Sequence, residues 1–239
     1  MTAAEAMPVP EESKKQPLAV RVGAELVGSF FICFAIYTIC TLDAIVSNLN
    51  MAFIALMTGA AYAVMTLVFG KISGGQFNPA VSIAAMLTGK THALDGILYI
   101  IAQLLGGIGA GAALRFLLPT SEQVPFKSWL SLAVNGFDKA SISYSTLSSL
   151  GLSFGITLAV VVELIAGLII VATAMRSMGE HGESNTKHAI AMGLAYAVGT
   201  TITYPVTGAA LNPARATGIA IFAQNQGLNE EPLQQLWVF

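Results

Sequence analysis

The sequence predicts an all-α membrane protein made of two inverted repeats. Each repeat consists of membrane spans and one half-length helix. Of its 239 residues, 55% are hydrophobic and only 10% are charged, whereas soluble domains carry about 25% charged residues. Several apolar stretches reach the length of about 20 residues that is needed to cross a bilayer. A glycine-led loop also occurs twice, in register with a wider internal duplication.

Five apolar stretches have the length of a membrane span. We predict them at residues 18–40, 50–69, 94–118, 151–175 and 188–205. Two further apolar segments, 79–87 and 213–222, are about half as long. Ten helical residues cover about 15 Å, which is half of the hydrocarbon core. Two such half-helices can cross the membrane only if they meet end to end.

Each half-length segment follows a loop that ends in Asn-Pro-Ala. The first loop is Gly74-Gly75-Gln76-Phe77, followed by Asn78, and the second is Gly208-Ala209-Ala210-Leu211, followed by Asn212. Asparagine is a favourable N-cap, and proline suits the first turn of a helix. We therefore expect each loop to lead into a helix N-terminus.

The duplication extends beyond the two loops. Asn78 and Asn212 are 134 positions apart, and at the same offset the sequence GAAYAV at 59–64 matches GLAYAV at 193–198. Duplicated apolar halves are typical of membrane channels and transporters. Because three full spans separate the starts of the two halves, the second half is inverted. The two asparagines then approach the membrane centre from opposite sides.

Lys and Arg residues set the predicted orientation, because they favour the cytoplasmic side of a membrane. On the side of the N-terminus lie Lys14, Lys15, Arg21, Lys71, Lys90, Arg176 and Lys187; on the other side lie Arg115, Lys127, Lys139 and Arg215. This distribution predicts a multi-pass protein of the plasma membrane with a cytoplasmic N-terminus.

The chain is then organised as a cytoplasmic tail at 1–17, a first repeat at 18–118, an external connection at 119–150 and a second repeat at 151–239. The second repeat stops short of its third span. After a polar stretch at 224–235, the chain ends in Leu236-Trp237-Val238-Phe239. We expect these last residues to begin a sixth span that is missing from this chain.

The two loops carry the predicted chemistry. Irregular backbone at membrane depth is tolerated where it is buried or lines a wet cavity. We expect pore-lining backbone at Gly74, Gly75, Gln76, Gly208 and Ala210. Each half-helix directs a partial positive charge at the membrane centre, where the two asparagine amides can bind the oxygen of a passing water. The hydrogens of that water then point to the exits, which interrupts a proton wire.

This chemistry also limits the partners of the protein. The two half-helix dipoles together with Arg215 are expected to repel protons and cations. We predict water, small neutral solutes and the lipid bilayer as partners. The sequence lacks the basic patch that nucleic acid binding requires. Neither a cofactor nor a metal is expected.

At these residues the chain resembles the aquaporin (major intrinsic protein) family. The resemblance rests on the two Asn-Pro-Ala loops, on Arg215 after the second loop, on Glu25 and Glu163 in the first and fourth spans, and on Gln103 in the third. It covers about residues 20–222. It implies a right-handed helical bundle with one pore per subunit, four subunits per assembly, and glutamates that brace the loop backbones.

The resemblance also assigns a narrow outer filter to Thr58, Thr200, Ala209 and Arg215. Strict water channels of the family usually place bulky aromatic and histidine residues at the first two positions, and glycerol channels usually place two aromatics in the set. This filter has no aromatic residue. We therefore expect it to be wide and mildly polar, and to pass glycerol and urea as well as water.

Three alternatives remain open. A secondary transporter also uses inverted repeats, and Glu25 and Glu163 are its candidate coupling groups. A structural member of the same family would conduct nothing. A membrane enzyme is less favoured, because His92, His181 and His188 lie in or beside loops, without a nucleophile–base pair or a metal-spaced cluster.

Overall fold

A computed structural model describes residues 15–43 and 50–239 of the chain. The described residues contain five helices that are long and apolar enough to cross a membrane, which confirms the five predicted spans. They are α1 (Leu18–Thr38), α2 (Met51–Ser73), α4 (Ala93–Leu117), α7 (Ile156–Ser177) and α8 (Thr186–Thr207). A π-helical turn, Ile39–Asp43, continues α1. Most of the predicted tail, residues 1–14, lies outside the described residues.

The two half-length helices form as predicted. They are α3 (Pro79–Leu87), with 9 residues, and α9 (Pro213–Ala223), with 11 residues. Each begins at the proline, and the side chain of the preceding asparagine accepts a hydrogen bond from the backbone N–H two residues later, at 2.9 Å. The sequence signals for the N-cap and the first turn therefore act as expected.

The predicted bounds of two spans need correction. α2 continues four residues past position 69, to Ser73, and ends where Gly74 takes the left-handed φ of 101°. α7 starts at Ile156 rather than at 151, because Gly151 has a φ of 70° and residues 152–155 are not helical. Glycine tolerates these backbone angles, which end or delay a helix.

The connection between the repeats contains two short α-helices, α5 (Phe126–Leu130) and α6 (Tyr144–Ser148), and a 3₁₀ turn, Asp138–Ala140. Near the end of the chain, α10 (Pro232–Gln235) precedes a 3₁₀ turn, Leu236–Val238. The expectation that this turn begins a sixth span stays a prediction.

The long helices pack into one bundle around the two half-helices. α1 packs against α2 and α4, α8 packs against α2 and α7, and α9 lies along α4. Small residues allow the closest crossings, since a Cβ at Gly59 of α2 would overlap the carbonyl oxygen of Gly193 of α8. This crossing brings equivalent faces of the two repeats together at the membrane centre.

Candidate functional site

The two loops before the half-helices share one unusual backbone conformation. Each has three residues with a positive φ, at matching positions of the repeat: Gly74, Gly75 and Phe77 in the first loop, and Gly208, Ala209 and Leu211 in the second. A positive φ at a non-glycine residue costs about 1–3 kcal/mol and persists only where the surroundings hold it.

Glu25 of α1 holds the first loop. Its carboxylate accepts hydrogen bonds from the backbone N–H groups of Gln76 at 3.0 Å and Phe77 at 2.7 Å. It also accepts from Ser73 Oγ at 2.6 Å and from Gln103 Nε2 of α4 at 2.8 Å. The side chain is fully buried, so these four donors compensate a charge that water does not reach.

Glu163 of α7 holds the second loop in the same way. It accepts hydrogen bonds from the backbone N–H groups of Ala210 at 3.0 Å and Leu211 at 2.9 Å, and from the hydroxyl of Thr207. Each of these donors occupies the position equivalent to one around Glu25. Glu163 is only partly buried among the described residues.

The structure brings the two asparagines of the motifs together. Asn78 Nδ2 donates to the carbonyl oxygen of Leu211 at 2.9 Å, and Asn212 Nδ2 donates to that of Phe77 at 2.8 Å. Each asparagine therefore bonds to the loop of the other repeat. Both side chains are buried, and the N-termini of the two half-helices face each other at this point.

Two tyrosines receive the remaining hydrogen of each asparagine amide. Asn78 Nδ2 donates to Tyr196 Oη and Asn212 Nδ2 donates to Tyr62 Oη, both at 2.8 Å. The two rings stack with centroids 3.2 Å apart and an interplanar angle of 4°. Sequence reasoning used these tyrosines only to establish the repeat register, and it missed their place beside the asparagines.

Arg215 is held by its own loop and by the connection between the repeats. Its guanidinium donates to Asn135 Oδ1 and, at 3.3 Å, to the carbonyl oxygen of Gly208. Tyr37 Oη donates to the Arg215 carbonyl at 2.6 Å. The arginine is buried, and its Nε makes no hydrogen bond within the described residues.

Asn135 was missed by sequence reasoning, which treated 119–150 only as a connection. Its Nδ2 donates to the carbonyl oxygens of Thr207 at 3.1 Å and Gly208 at 3.0 Å, so it ties the connection to the second loop. The available sequence signal was the apolar run Leu132-Ala133-Val134 directly before it, which is unusual for an exposed connection.

The proposed filter residues lie on α2, α8, the second loop and α9. Ala209 follows the carbonyl that Arg215 contacts. Thr58 lies one helical turn from Tyr62, and Thr200 lies one turn from Tyr196, so each threonine shares a helix face with a stacked ring. Both threonines are buried. Thr200 Oγ1 has no hydrogen-bond partner among the described residues.

The other loop residues that were predicted to line the pore have different hydrogen-bond partners. The Gln76 side chain turns to Thr91 Oγ1 at 2.6 Å. The Ala210 carbonyl accepts the backbone N–H of Asn212 at 2.6 Å, and the Gly75 N–H donates to Ser73 Oγ at 3.2 Å. Part of the predicted carbonyl ladder is thus engaged within the loops. Among the described residues, no cluster of His, Cys, Asp and Glu could hold a metal ion.

The chain matches a known protein family. The family model described as "Major intrinsic protein" matches residues 12–239. Aquaporin Z of Photorhabdus laumondii is 32% identical over 222 residues, which cover 92% of this chain and 89% of that relative. Aquaporin Z of Brucella melitensis is 33% identical over the same shares of the two chains.

A relative with another name and a solved structure also match. Glycerol uptake facilitator protein-like 6 of Lactiplantibacillus plantarum is 30% identical over 216 residues, covering 90% of this chain and 88% of the relative. The X-ray structure of the aquaglyceroporin from Plasmodium falciparum superimposes with a TM-score of 0.68. It covers 93% of this chain and 89% of that chain at 19% identity, which is a likeness of fold.

Proposed function

Because the chain belongs to the major intrinsic protein family, we propose that it is a passive membrane channel for water and small uncharged solutes such as glycerol and urea. The observation that carries the proposal is the meeting of the two loops, where Asn78 and Asn212 each bond to the opposite loop between two facing helix N-termini. The names of the similar proteins, which include both Aquaporin Z and a glycerol uptake facilitator, support this range of solutes.

The same centre supplies the exclusion of ions that we propose. The N-terminus of each half-helix carries about half a positive charge, and the two ends face each other across the asparagines. Arg215 adds a full charge at the outer side of the second loop. A cation or proton meets three positive groups in sequence, whereas a neutral solute meets hydrogen-bond donors.

The hydrogen bonds of the two carboxylates, Glu25 and Glu163, favour passive permeation over coupled transport. A coupling carboxylate must bind and release an ion or a proton during the cycle. Glu25 is surrounded by four hydrogen-bond donors and Glu163 by three. Their bonds hold the loops, so releasing them would disturb the backbone that bears the asparagines.

Placement in the cell follows the charge distribution. We propose a plasma-membrane protein with a cytoplasmic N-terminus, because the larger set of Lys and Arg residues lies on that side. We also propose a homotetramer with one pore in each subunit, and transport without chemical turnover. The exposed apolar side chains of α2, α7 and α8, such as Leu56, Leu168 and Leu194, are available for contacts with lipid or with further subunits.

Stopped-flow light scattering on proteoliposomes tests the proposed function. Water, glycerol and urea gradients are applied in turn, with protein-free liposomes as the control and with or without an imposed proton or sodium gradient. We expect each flux to exceed that of the control and to ignore the ion gradient. A flux driven by the ion gradient would indicate a transporter, and fluxes equal to the control would indicate a non-conducting protein.

A further inference from the structure

The centre of the pathway contains a feature that the proposed function does not use. Tyr62 and Tyr196 occupy equivalent positions of the two repeats and stack face to face, with ring centroids 3.2 Å apart. No water fits between rings at this separation. The exposed fractions of the two side chains are only 2% and 0%, so a water-sized probe barely reaches them from either side.

These rings lie on the path that connects the proposed filter to the asparagines. Thr58 and Thr200 share helix faces with Tyr62 and Tyr196 and lie about 6 Å farther out, one turn along each helix. Thr66 lies one turn farther in on α2. The hydroxyls of Thr66 and Thr200 are buried and have no hydrogen-bond partner within the described chain. Polar atoms of this kind suit a route for polar solutes.

The tyrosines also occupy the hydrogen-bond donors that a solute would need. One hydrogen of each asparagine amide goes to a loop carbonyl, and the other goes to a tyrosine hydroxyl. An amide nitrogen has only two hydrogens to donate. Each hydroxyl therefore stands where the oxygen of a permeating water would bind.

The helices themselves hold the rings face to face. Gly59 and Gly193 each lie three residues before a tyrosine, and their backbones touch where α2 and α8 cross. Separation of these helices would break a close backbone contact, whereas rotation of a tyrosine side chain breaks only the stack and one hydrogen bond. Opening by side-chain rotation is the smaller change.

We propose that Tyr62 and Tyr196 form a central gate, so that a solute passes the two asparagines only when the stacked rings part. This inference deepens the proposed function and rests on it. Parting the rings widens the path, and each ring that turns frees one asparagine amide hydrogen. The barrier for solutes larger than water then lies at this pair rather than at Thr58, Thr200 and Ala209, which carry little bulk.

Substitution of both rings by a flexible aliphatic side chain tests the gate. In proteoliposomes, we expect Tyr62→Leu/Tyr196→Leu to raise glycerol flux per channel by about tenfold or more, since two rings no longer fill the path and two hydrogen bonds no longer hold them there. Water flux should rise by a smaller factor. Tyr62→Phe/Tyr196→Phe retains both rings but loses the two hydrogen bonds, so it should raise glycerol flux by a clearly smaller factor than the double Leu variant.

Two controls isolate the effect of the pair. Phe31→Leu removes a ring of similar size from α1 at a position that is 48% exposed and away from the two loops, and it should leave every flux unchanged. Size-exclusion profiles and the amount of reconstituted protein normalise the flux of each variant. If the double Leu variant does not fold, the single variants Tyr62→Leu and Tyr196→Leu are tested instead. Each should raise glycerol flux above the wild-type value, by less than the factor expected for the double variant.

The outcomes separate the gate from the proposed function. If the wild type conducts but every folded Leu variant has the same glycerol flux as the wild type, the gate is wrong. The proposed channel function still stands in that case. Equal increases in the Leu and Phe variants also overturn it, because the rings would then not be the barrier. Fluxes equal to protein-free liposomes in the wild type and in all variants overturn the channel and the gate together.

Discussion

Glu25 and Glu163 hold equivalent loops, but Glu25 is fully buried whereas Glu163 is partly exposed. Three donors are common to both sites by position: a hydroxyl from the end of the preceding span and two successive loop N–H groups. The fourth donor to Glu25 is Gln103 of α4, which has no equivalent at Glu163 among the described residues. The third span of the first half thus both shields and completes its site.

The half-helices show the same difference. α9 lies against α4 so closely that a Cβ at Gly107 would overlap the carbonyl oxygen of Ala214, and one at Gly218 would overlap that of Gly107. In α3 the side chains of Ile83 and Leu87 are 47% and 83% exposed, whereas the most exposed large apolar side chain of α9, Ile221, is 39% exposed. α4 therefore covers the half-helix of the opposite repeat as well as its own glutamate. We infer that α4 supports the stability of both halves.

The largest expected difference between the halves concerns the glutamates. Glu25→Leu leaves two buried loop N–H groups without an acceptor, at a cost of about 1–3 kcal/mol for each. Glu163→Leu removes the equivalent acceptor from a less buried site with one donor fewer, so its cost should be smaller. Thermal unfolding in detergent measures both. Equal losses of stability would mean that burial of Glu25 by α4 does not matter.

A second comparison uses two glycines on spans of different halves. Gly107→Ala forces α4 away from α9 and should destabilise the protein by about 1–3 kcal/mol. Gly167 of α7 has no atom within 4 Å of a would-be Cβ. Gly167→Ala should therefore be neutral or stabilising by about 0.5–1 kcal/mol, through helix propensity. The same unfolding assay distinguishes them, and a tolerated Gly107→Ala would contradict the inferred role of α4.

A third comparison concerns charge. Position 81 of the first half corresponds to position 215 of the second, and it carries a buried valine. Arg215→Val removes this difference, and it should introduce a proton or sodium leak without abolishing water flux. A pH-sensitive dye inside the proteoliposomes measures the leak. Arg215→Lys, which retains the charge, serves as the control. An ion-tight Arg215→Val variant would assign exclusion to the half-helix dipoles alone.

Much of the fold follows from local sequence. Long apolar stretches require helices in a bilayer, because every backbone polar group must find a partner within its segment. The half-helices start where Asn-Pro places them. The start of α7 was predicted wrongly at 151, because the run from Leu152 to Gly155 is apolar or small but does not form helical hydrogen bonds. Hydropathy does not distinguish such a run from a helix.

The site was less predictable where it depends on distant contacts. Tyr62 and Tyr196 lie on apolar helices, where an aromatic residue is most simply a packing residue, and only the crossing of α2 and α8 places them against the asparagines. Asn135 lies in a connection without a motif, and its role depends on the fold of that connection over the second loop. Repeat register identified the tyrosine positions but not their contacts.

The most direct test of the central claim, that solutes pass the outer threonines to reach the asparagines, is the ratio of glycerol flux to water flux in Thr58→Phe/Thr200→His. Both changes add bulk at the two proposed filter positions on α2 and α8 and leave the loops unchanged. The account predicts that glycerol flux falls far more than water flux, relative to the wild type in the same stopped-flow assay. A wild type that passes water but neither glycerol nor urea, with an unchanged ratio in the variant, would contradict it.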